Sequence, residues 1–452
     1  MLLTIKQGIP VDHLSQPSDF HSTSHGGNSG QQNRPTTIRF ADIFAGLGGF
    51  HAGLSKRGMQ CVFSSELDKE LRDLYYKNFG LLPEGDIRLV DEKNIPKHDV
   101  LCAGFPCQPF SVAGKKKGAA CPSSGKLIND ILRIAAFHLP KYILLENVPN
   151  ILTIQNGEFW EYIEKSLSEL GYEIDYKIFS PHQFGIPQKR DRVFVVASRV
   201  GLAHFRWPTT TGRVAKKLSE LITHDNENVR HIEPAKMRIL NKWQQLVNEV
   251  KKMNSYSIVA SEFGASYPIT NFKKTSLHEM RMLKGAFGKP LTNCKTWADI
   301  MSRMPHYMQD RNGGIPDWLR SSLIYSRALY SQHQEFLDEW KLDVVEANNS
   351  WQKLEWRGIA GNTDIWQHTI QFRASGIRII KPEFAPSLVA MTPTQTPIIG
   401  AKKRYMGVRE AASLQSLDSL RCFPENNGRA FKALGNAVNA FIVGEIANNL
   451  IC

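Results

Sequence analysis

The sequence predicts an α/β protein, a doubly wound, mostly parallel sheet joined to a second, smaller domain. Short apolar runs closed by turn or polar residues recur up to about residue 200. Between them lie segments whose apolar residues repeat at spacings of three and four, the helical period. After about residue 205 this alternation stops, and a compact apolar stretch returns only at 433–451.

The runs at 38–44, 61–66, 99–104 and 142–148 read as buried parallel strands, and 172–180 and 192–198 as two more. In 126–138, Leu127, Ile131, Ile134 and Phe137 share one helical face. In 158–170, Trp160, Ile163, Leu167 and Leu170 do the same, with Gly171 placed to end the helix. This βαβ series fills a first domain over 38–205. Residues 1–37 are expected to be a flexible arm, because 11–37 is rich in Ser, Gly, Gln, Asn and His and nearly lacks large apolar residues. A second domain is expected over 206–425, with longer helical stretches such as 234–253, which carries Ile239, Leu240, Trp243, Leu246, Val247 and Val250. Residues 426–452 would then return to the first domain as a helix.

Against 43 acidic residues stand 56 Lys and Arg, a net charge of +13, which favours a polyanionic partner such as nucleic acid over a neutral one; a merely basic soluble enzyme is the plain alternative. The seven cysteines are irregularly spaced, with no Cys-x-x-Cys pair and no signal-peptide pattern, so a reducing compartment is expected and a metal site is not. No apolar run approaches the roughly 18 residues that cross a bilayer.

"FADIFAGLGGF" (40–50) runs from a strand through Gly46, Gly48 and Gly49 into a helix, and Glu66 closes the next strand. That pattern sets a tight turn and a ribose-binding carboxylate at one sheet edge. The third glycine of the dinucleotide fingerprint is replaced by His51, so a cofactor with a ribose and no pyrophosphate fits better, and S-adenosylmethionine is one. A ligand-free tight turn is the plain alternative. Asp86 in "EGDIR" is suited either to an adenine amino group or to capping a turn.

"GFPCQPFS" (104–111) holds Cys107 between two prolines just beyond a strand, at the same sheet edge as the glycine turn. A thiol fixed there suggests a nucleophile rather than a core cysteine.

The ordered stretches "DIFAGLGGF" (42–50), "GFPCQPFS", "ENV" (146–148), "QKRDR" (188–192), "REAASLQ" (409–415) and "GNAV" (435–438) together resemble the cytosine-C5 DNA methyltransferase family, chiefly its bacterial modification enzymes. The resemblance implies a Rossmann-like fold that uses S-adenosylmethionine to methylate a cytosine flipped out of duplex DNA. It implies that Cys107 adds to carbon 6 of the base, that Glu146 holds its N3 edge and that Asn147 braces the cysteine loop. Arg192 would meet the cytosine O2, with Arg190 in support. For the cofactor it assigns Phe44 to the adenine, Gly46, Gly48 and Gly49 to the methionine end, Glu66 to the ribose and Asp86 to the adenine amino group. Leu67, Leu127 and Asn436 would complete that pocket. Lys115, Lys116 and Lys117 lie in an acid-free stretch suited to phosphates, and Gln188 is a weaker DNA contact.

The second domain would then recognise the target. "HTIQFRASGIRIIKPE" (368–383) alternates like strands and offers Arg373 and Arg378 for guanine edges. Ser387, in "PSLVAMTPTQ" (386–395), stands where the family often has threonine in a strand. The expected protein is a cytoplasmic, nucleoid-associated prokaryotic monomer, the modification partner of a separately encoded endonuclease. A transfer-RNA cytosine-C5 methyltransferase and a non-catalytic DNA-binding regulator are the competing readings.

Overall fold

The computed structural model describes residues 37–106, 127–210, 216–222, 229–254, 256–270, 274–309, 315–388 and 395–451. The expected arm, but for Thr37, and the stretch holding Cys107, Lys115, Lys116 and Lys117 lie outside the described residues.

In chain order come β1 (Arg39–Ile43), α1 (Gly49–Ser55), β2 (Gln60–Ser65), α2 (Lys69–Phe79), β3 (Val100–Ala103) and α3 (Leu127–His138). There follow β4 (Tyr142–Asn147), α4 (Glu158–Glu169), β5 (Glu173–Phe179), β6 (Gln188–Lys189) and β7 (Arg192–Ser198). The six longer strands agree with the predicted runs to within one residue at either end. They form one sheet in the order β2-β1-β3-β4-β7-β5, parallel from β2 to β4, with β7 antiparallel to both neighbours.

The inner strands β1, β3, β4 and β7 are mostly apolar because both faces of the sheet are covered there, whereas the edge strand β5 is largely exposed. Ile43, Leu101, Ile143 and Val195 pack with Ile131 and Ile134 of α3 and with Trp160 and Ile163 of α4. Phe40, Val100, Leu144 and Val196 alternate onto the opposite face, where they meet Phe50 and Leu54 of α1. The chain's last helix joins them there.

The second half contributes α5 (Leu218–Leu221), α6 (Pro234–Val250), β8 (Ile258–Val259), α7 (Leu277–Arg281), α8 (Trp297–Ser302), α9 (Asp317–Gln332) and α10 (Gln334–Trp340). Next come β9 (Lys353–Arg357), β10 (Thr369–Arg373), β11 (Gly376–Ile380), β12 (Ala385–Pro386), β13 (Ile398–Ile399) and β14 (Arg404–Tyr405). The chain closes with α11 (Val408–Leu414), α12 (Asn427–Asn436) and α13 (Ala440–Ile451). A second six-stranded sheet runs β14-β13-β10-β11-β9-β8. One of its faces packs Leu354, Trp356, Ile370, Phe372, Ile377 and Ile379 on Trp243, Leu246 and Val247 of α6. This sheet is largely missing from the sequence reading, because four of its strands are two or five residues long and lack an apolar run.

Two expectations are corrected. The returning segment is two helices, because Ala437 is extended (φ −63°, ψ 140°) and Asn439 starts a new helix. Asn439 Oδ1 accepts from the Ile442 N–H at 3.2 Å, and its Nδ2 donates to the Leu414 carbonyl at 3.1 Å. Of the strand expected over 386–395, only Pro386 is in a strand, the short β12 parallel to β6; residues 389–394 lie outside the described residues. The glycines of α1 let the returning backbone come close. A Cβ on Gly49 would lie 2.4 Å from the Val438 carbonyl oxygen, and one on Gly53 would lie 2.5 Å from that of Ala440.

Candidate active site at the edge of the first sheet

The carboxyl ends of β1, β2, β3 and β4 lead into the two clusters that carry the predicted chemistry. In the first, the chain after β1 makes its turn with three left-handed residues, Phe44 (φ 58°), Gly46 (φ 56°) and Gly48 (φ 81°). A Cβ on Gly48 would strike the Phe79 ring at 2.3 Å, whereas one on Gly46 would meet nothing within 4 Å. The turn is therefore packed below and open above. Glu66 clamps it, its Oε2 accepting from the Gly46 N–H at 2.9 Å and its Oε1 from the Asp68 N–H at 2.8 Å. Burial raises the Glu66 pKa, and these two N–H groups offset only part of that rise. Each oxygen keeps a lone pair for a further donor.

Leu67 beside it is 68% exposed, and Phe44 and Leu127 are half-buried. Asp86 caps a short turn by accepting from the Arg88 N–H at 3.1 Å, and its carboxylate also pairs with the Arg88 guanidinium, which lowers its pKa. Asn436 is exposed at the end of α12.

Beneath the turn lies a buried polar group that sequence reasoning missed. His51 stacks on Phe79 at 4.0 Å between ring centroids, and its Nδ1 is 2.8 Å from the Tyr75 hydroxyl, which donates to Asp42 at 3.4 Å. Burial lowers the His51 pKa to about 4 and raises that of Asp42 well above the usual carboxylate value, so both favour their neutral forms. The signal was an acid inside the apolar run "FADIF". His51, at the third position of the glycine fingerprint, has its ring buried beneath the turn against Phe79 and Tyr75.

The second cluster gathers at the end of β4. Glu146 is 6% exposed, with Arg192 Nε 3.1 Å from its Oε1, an ion pair without a well-directed hydrogen bond. β7 runs antiparallel beside β4, which is why Arg192 at its start reaches Glu146 at the other strand's end. Arg190 is 3% exposed; its backbone N–H donates to Ser180 Oγ at 2.8 Å and its Nη2 to the Ala437 carbonyl at 3.1 Å, while its Nη1 has no partner among the described residues. The break between α12 and α13 thus serves the site by turning a carbonyl toward this guanidinium. Burial raises the Glu146 pKa and the two arginines oppose that. Burial and the neighbouring Arg192 lower the Arg190 pKa to about 9.

Asn147 Nδ2 donates to the Phe105 carbonyl at 3.1 Å, while its Oδ1 accepts from the Val148 N–H at 2.9 Å. This ties the end of β4 to the chain leaving β3, two residues before Cys107. Gln188 lies in the interior rather than in an exposed turn. It is completely buried, with its Oε1 accepting from Gln415 Nε2 at 2.8 Å, which ties it to the end of α11, while its Nε2 has no partner among the described residues. Arg373, Arg378 and the half-buried Ser387 belong to the second half, on β10, β11 and just after β12.

A Type II methyltransferase, M.HhaI of Haemophilus parahaemolyticus, is 45% identical over 175 residues, 38% of this chain and 53% of the relative. M.AluI, a Type II methyltransferase of Cellulosimicrobium cellulans, is 28% identical over 481 residues and 90% of each chain. The chain spans about half the length of M.HhaI and of M.MspI, the Type II methyltransferase of a Moraxella species (48%). A prophage-encoded methyltransferase structure of E. coli aligns with 92% of this chain and 98% of its own at a TM-score of 0.52 and 17% identity, which supports the fold. The family model described as C-5 cytosine-specific DNA methylase matches residues 38–452, so the chain belongs to that family.

Proposed function

We propose that this chain transfers a methyl group from S-adenosylmethionine to carbon 5 of a cytosine flipped out of duplex DNA, as the modification enzyme of a restriction-modification pair. The observation that carries the reading is the buried Glu146 beside Arg192 and Arg190, on the sheet edge where Asn147 holds the chain that leads to Cys107. The cofactor, when bound, supplies an electrophilic sulfonium methyl group. The residues present fit it: the open space over Gly46 admits a ligand, and Glu66 retains lone pairs for ribose hydroxyls. Phe44, Leu67, Leu127, Asp86 and Asn436 would frame the adenine and the methionine end with Gly48 and Gly49.

Cys107 adds as thiolate to carbon 6 across the 5,6 double bond, which makes carbon 5 nucleophilic; once carbon 5 carries the methyl group, its hydrogen leaves as a proton and the carbon 6–sulfur bond breaks, restoring the double bond and the thiolate. Glu146, whose raised pKa lets it hold a proton, places that proton at N3 as negative charge develops in the ring. Arg192 meets O2, and Arg190, fixed by Ser180 and Ala437, keeps the cluster cationic. Lys115, Lys116 and Lys117 contact phosphates. Residues 38–205 with 426–452 serve as the catalytic domain and 206–425 as the recognition domain of a monomer acting in the cytoplasm, on the nucleoid. Among the described residues no helix is long and apolar enough to cross a membrane.

The test is methyl transfer from labelled cofactor to duplex DNA, with modified cytosines mapped by bisulfite sequencing. Cys107→Ala should abolish transfer; wild-type activity in that variant overturns the mechanism. Modification confined to RNA overturns the substrate.

A further inference from the structure

The second half of the chain reaches back through β12 to the arginines beside Glu146. Only residues 381–384 separate β11 of the second sheet from β12, which lies parallel to β6. The Ala385 N–H donates to the Pro187 carbonyl at 2.8 Å. Ala385 and Leu388 are buried in a core shared with Leu47 and Ala52 of the first half. β6 ends at Lys189, directly before Arg190.

Phe384, just ahead of this ladder, is half-buried and uses its ring differently from its neighbours. Among the described residues it belongs to none of the hydrophobic cores. The His182 ring meets it in a T-shape, 5.9 Å between centroids with planes 77° apart, and Lys189 Nζ stands 5.0 Å from its centroid. Both are attractions specific to an aromatic ring.

The two contacts bracket Arg190. His182 lies in the short turn that begins at Ser180, whose Oγ accepts from the Arg190 N–H at 2.8 Å, and Lys189 is the residue before Arg190. The ring therefore spans both segments that meet in that hydrogen bond. An aliphatic side chain would fill the space without attracting the lysine.

Resting on the reading of the chain as a DNA methyltransferase, we propose that Phe384 is a positioning residue: by clasping His182 and Lys189 it lets the second half hold Arg190 and Arg192 in register with Glu146. Methyl transfer depends on that register, because a displacement of about 1 Å in a reacting site can cost about 10²-fold in rate.

The experiment uses the full chain, the duplex that the wild type methylates best, and the variants Phe384→Leu, Phe384→Tyr and Lys189→Met. Single-turnover methyl transfer is measured at saturating duplex and cofactor, and the dissociation constants of both are measured alongside. Phe384→Leu should lower the single-turnover rate by about 10–100-fold while both dissociation constants stay unchanged. Phe384→Tyr, which keeps the ring, should restore the rate. Lys189→Met should lower the rate by about 2–5-fold, and should cost nothing further when added to Phe384→Leu, because both remove one contact. A wild-type rate in Phe384→Leu, a loss confined to duplex affinity, or losses that multiply in the double variant overturn the inference. If Phe384→Leu does not fold, Lys189→Met decides alone, and an unchanged rate in that surface variant overturns it. A wild-type chain that methylates no duplex fails the underlying reading instead, and is distinguishable because no rate exists to lose.

Discussion

Glu146 and Glu355 are both single carboxylates set among arginines, one on each sheet, and their environments drive them in opposite directions. Glu146 is almost completely buried and meets Arg192 without a well-directed hydrogen bond, so burial prevails and its pKa rises. Glu355 keeps some exposure and accepts three hydrogen bonds from Arg378 and Arg357, which outweigh burial and lower its pKa. The contrast shows that arginine neighbours alone do not lower a carboxylate's pKa. Direct donors do, when solvent still reaches the group. One cluster is built to hold a proton and the other to hold two cations still.

The most severe way to break this contrast is to remove the proton holder. Glu146→Gln keeps the shape but cannot cycle a proton, so single-turnover methyl transfer should fall by about 10²–10⁴-fold, the usual range for a general acid or base. Glu355→Gln should leave much more of the rate on the preferred sequence. Equal losses from the two substitutions would erase the distinction between the sites.

The opposite pKa shifts also predict stability profiles of opposite sign. Glu146 has a folded-state pKa above its unfolded value of about 4.3. Its contribution to stability is therefore fully present below that pH and declines as pH rises through the folded pKa. Glu355 has a lowered folded-state pKa, so its contribution is present above about 4.3 and disappears as pH falls through the folded value. In urea titrations across pH, Glu146→Gln should gain on the wild type with rising pH, by about 1.4 kcal/mol per unit of upshift. Glu355→Gln should lose its deficit in acid. Parallel profiles would show that the two carboxylates do not differ.

What the sequence disclosed follows the same physical line. The first sheet was legible because its inner strands β1, β3, β4 and β7 are buried on both faces and so read as apolar runs, and because Gly46, Glu66 and Glu146 each follow an apolar run. The second sheet was not, since β8, β13 and β14 are two residues long and β9 alternates charge with apolar side chains. Asn147 could be named from its motif, but its bond to Phe105 depends on β3 and β4 being adjacent. The burial of Gln188 was not legible because a polar residue in a charged turn resembles a surface group, and its partner Gln415 lies 227 residues away. The Glu355 cluster depends on strand register, which no local pattern revealed.

The two sites differ again in what holds their arginines, and this yields the mildest test. Arg378 is placed by a carboxylate, but Arg190 is placed by neutral oxygens, Ser180 Oγ on its backbone N–H and the Ala437 carbonyl on its Nη2. Ser180→Ala removes one of these and leaves a buried N–H without its acceptor. Stability in urea should fall by about 1–2 kcal/mol, between the net value of a hydrogen bond and the cost of a buried unsatisfied donor. Because the charges around Glu146 are untouched, the pH dependence of methyl transfer should keep its midpoint while the rate falls. A shifted midpoint would mean that Arg190 moves when its backbone anchor is lost and that its field, rather than burial, governs the Glu146 proton.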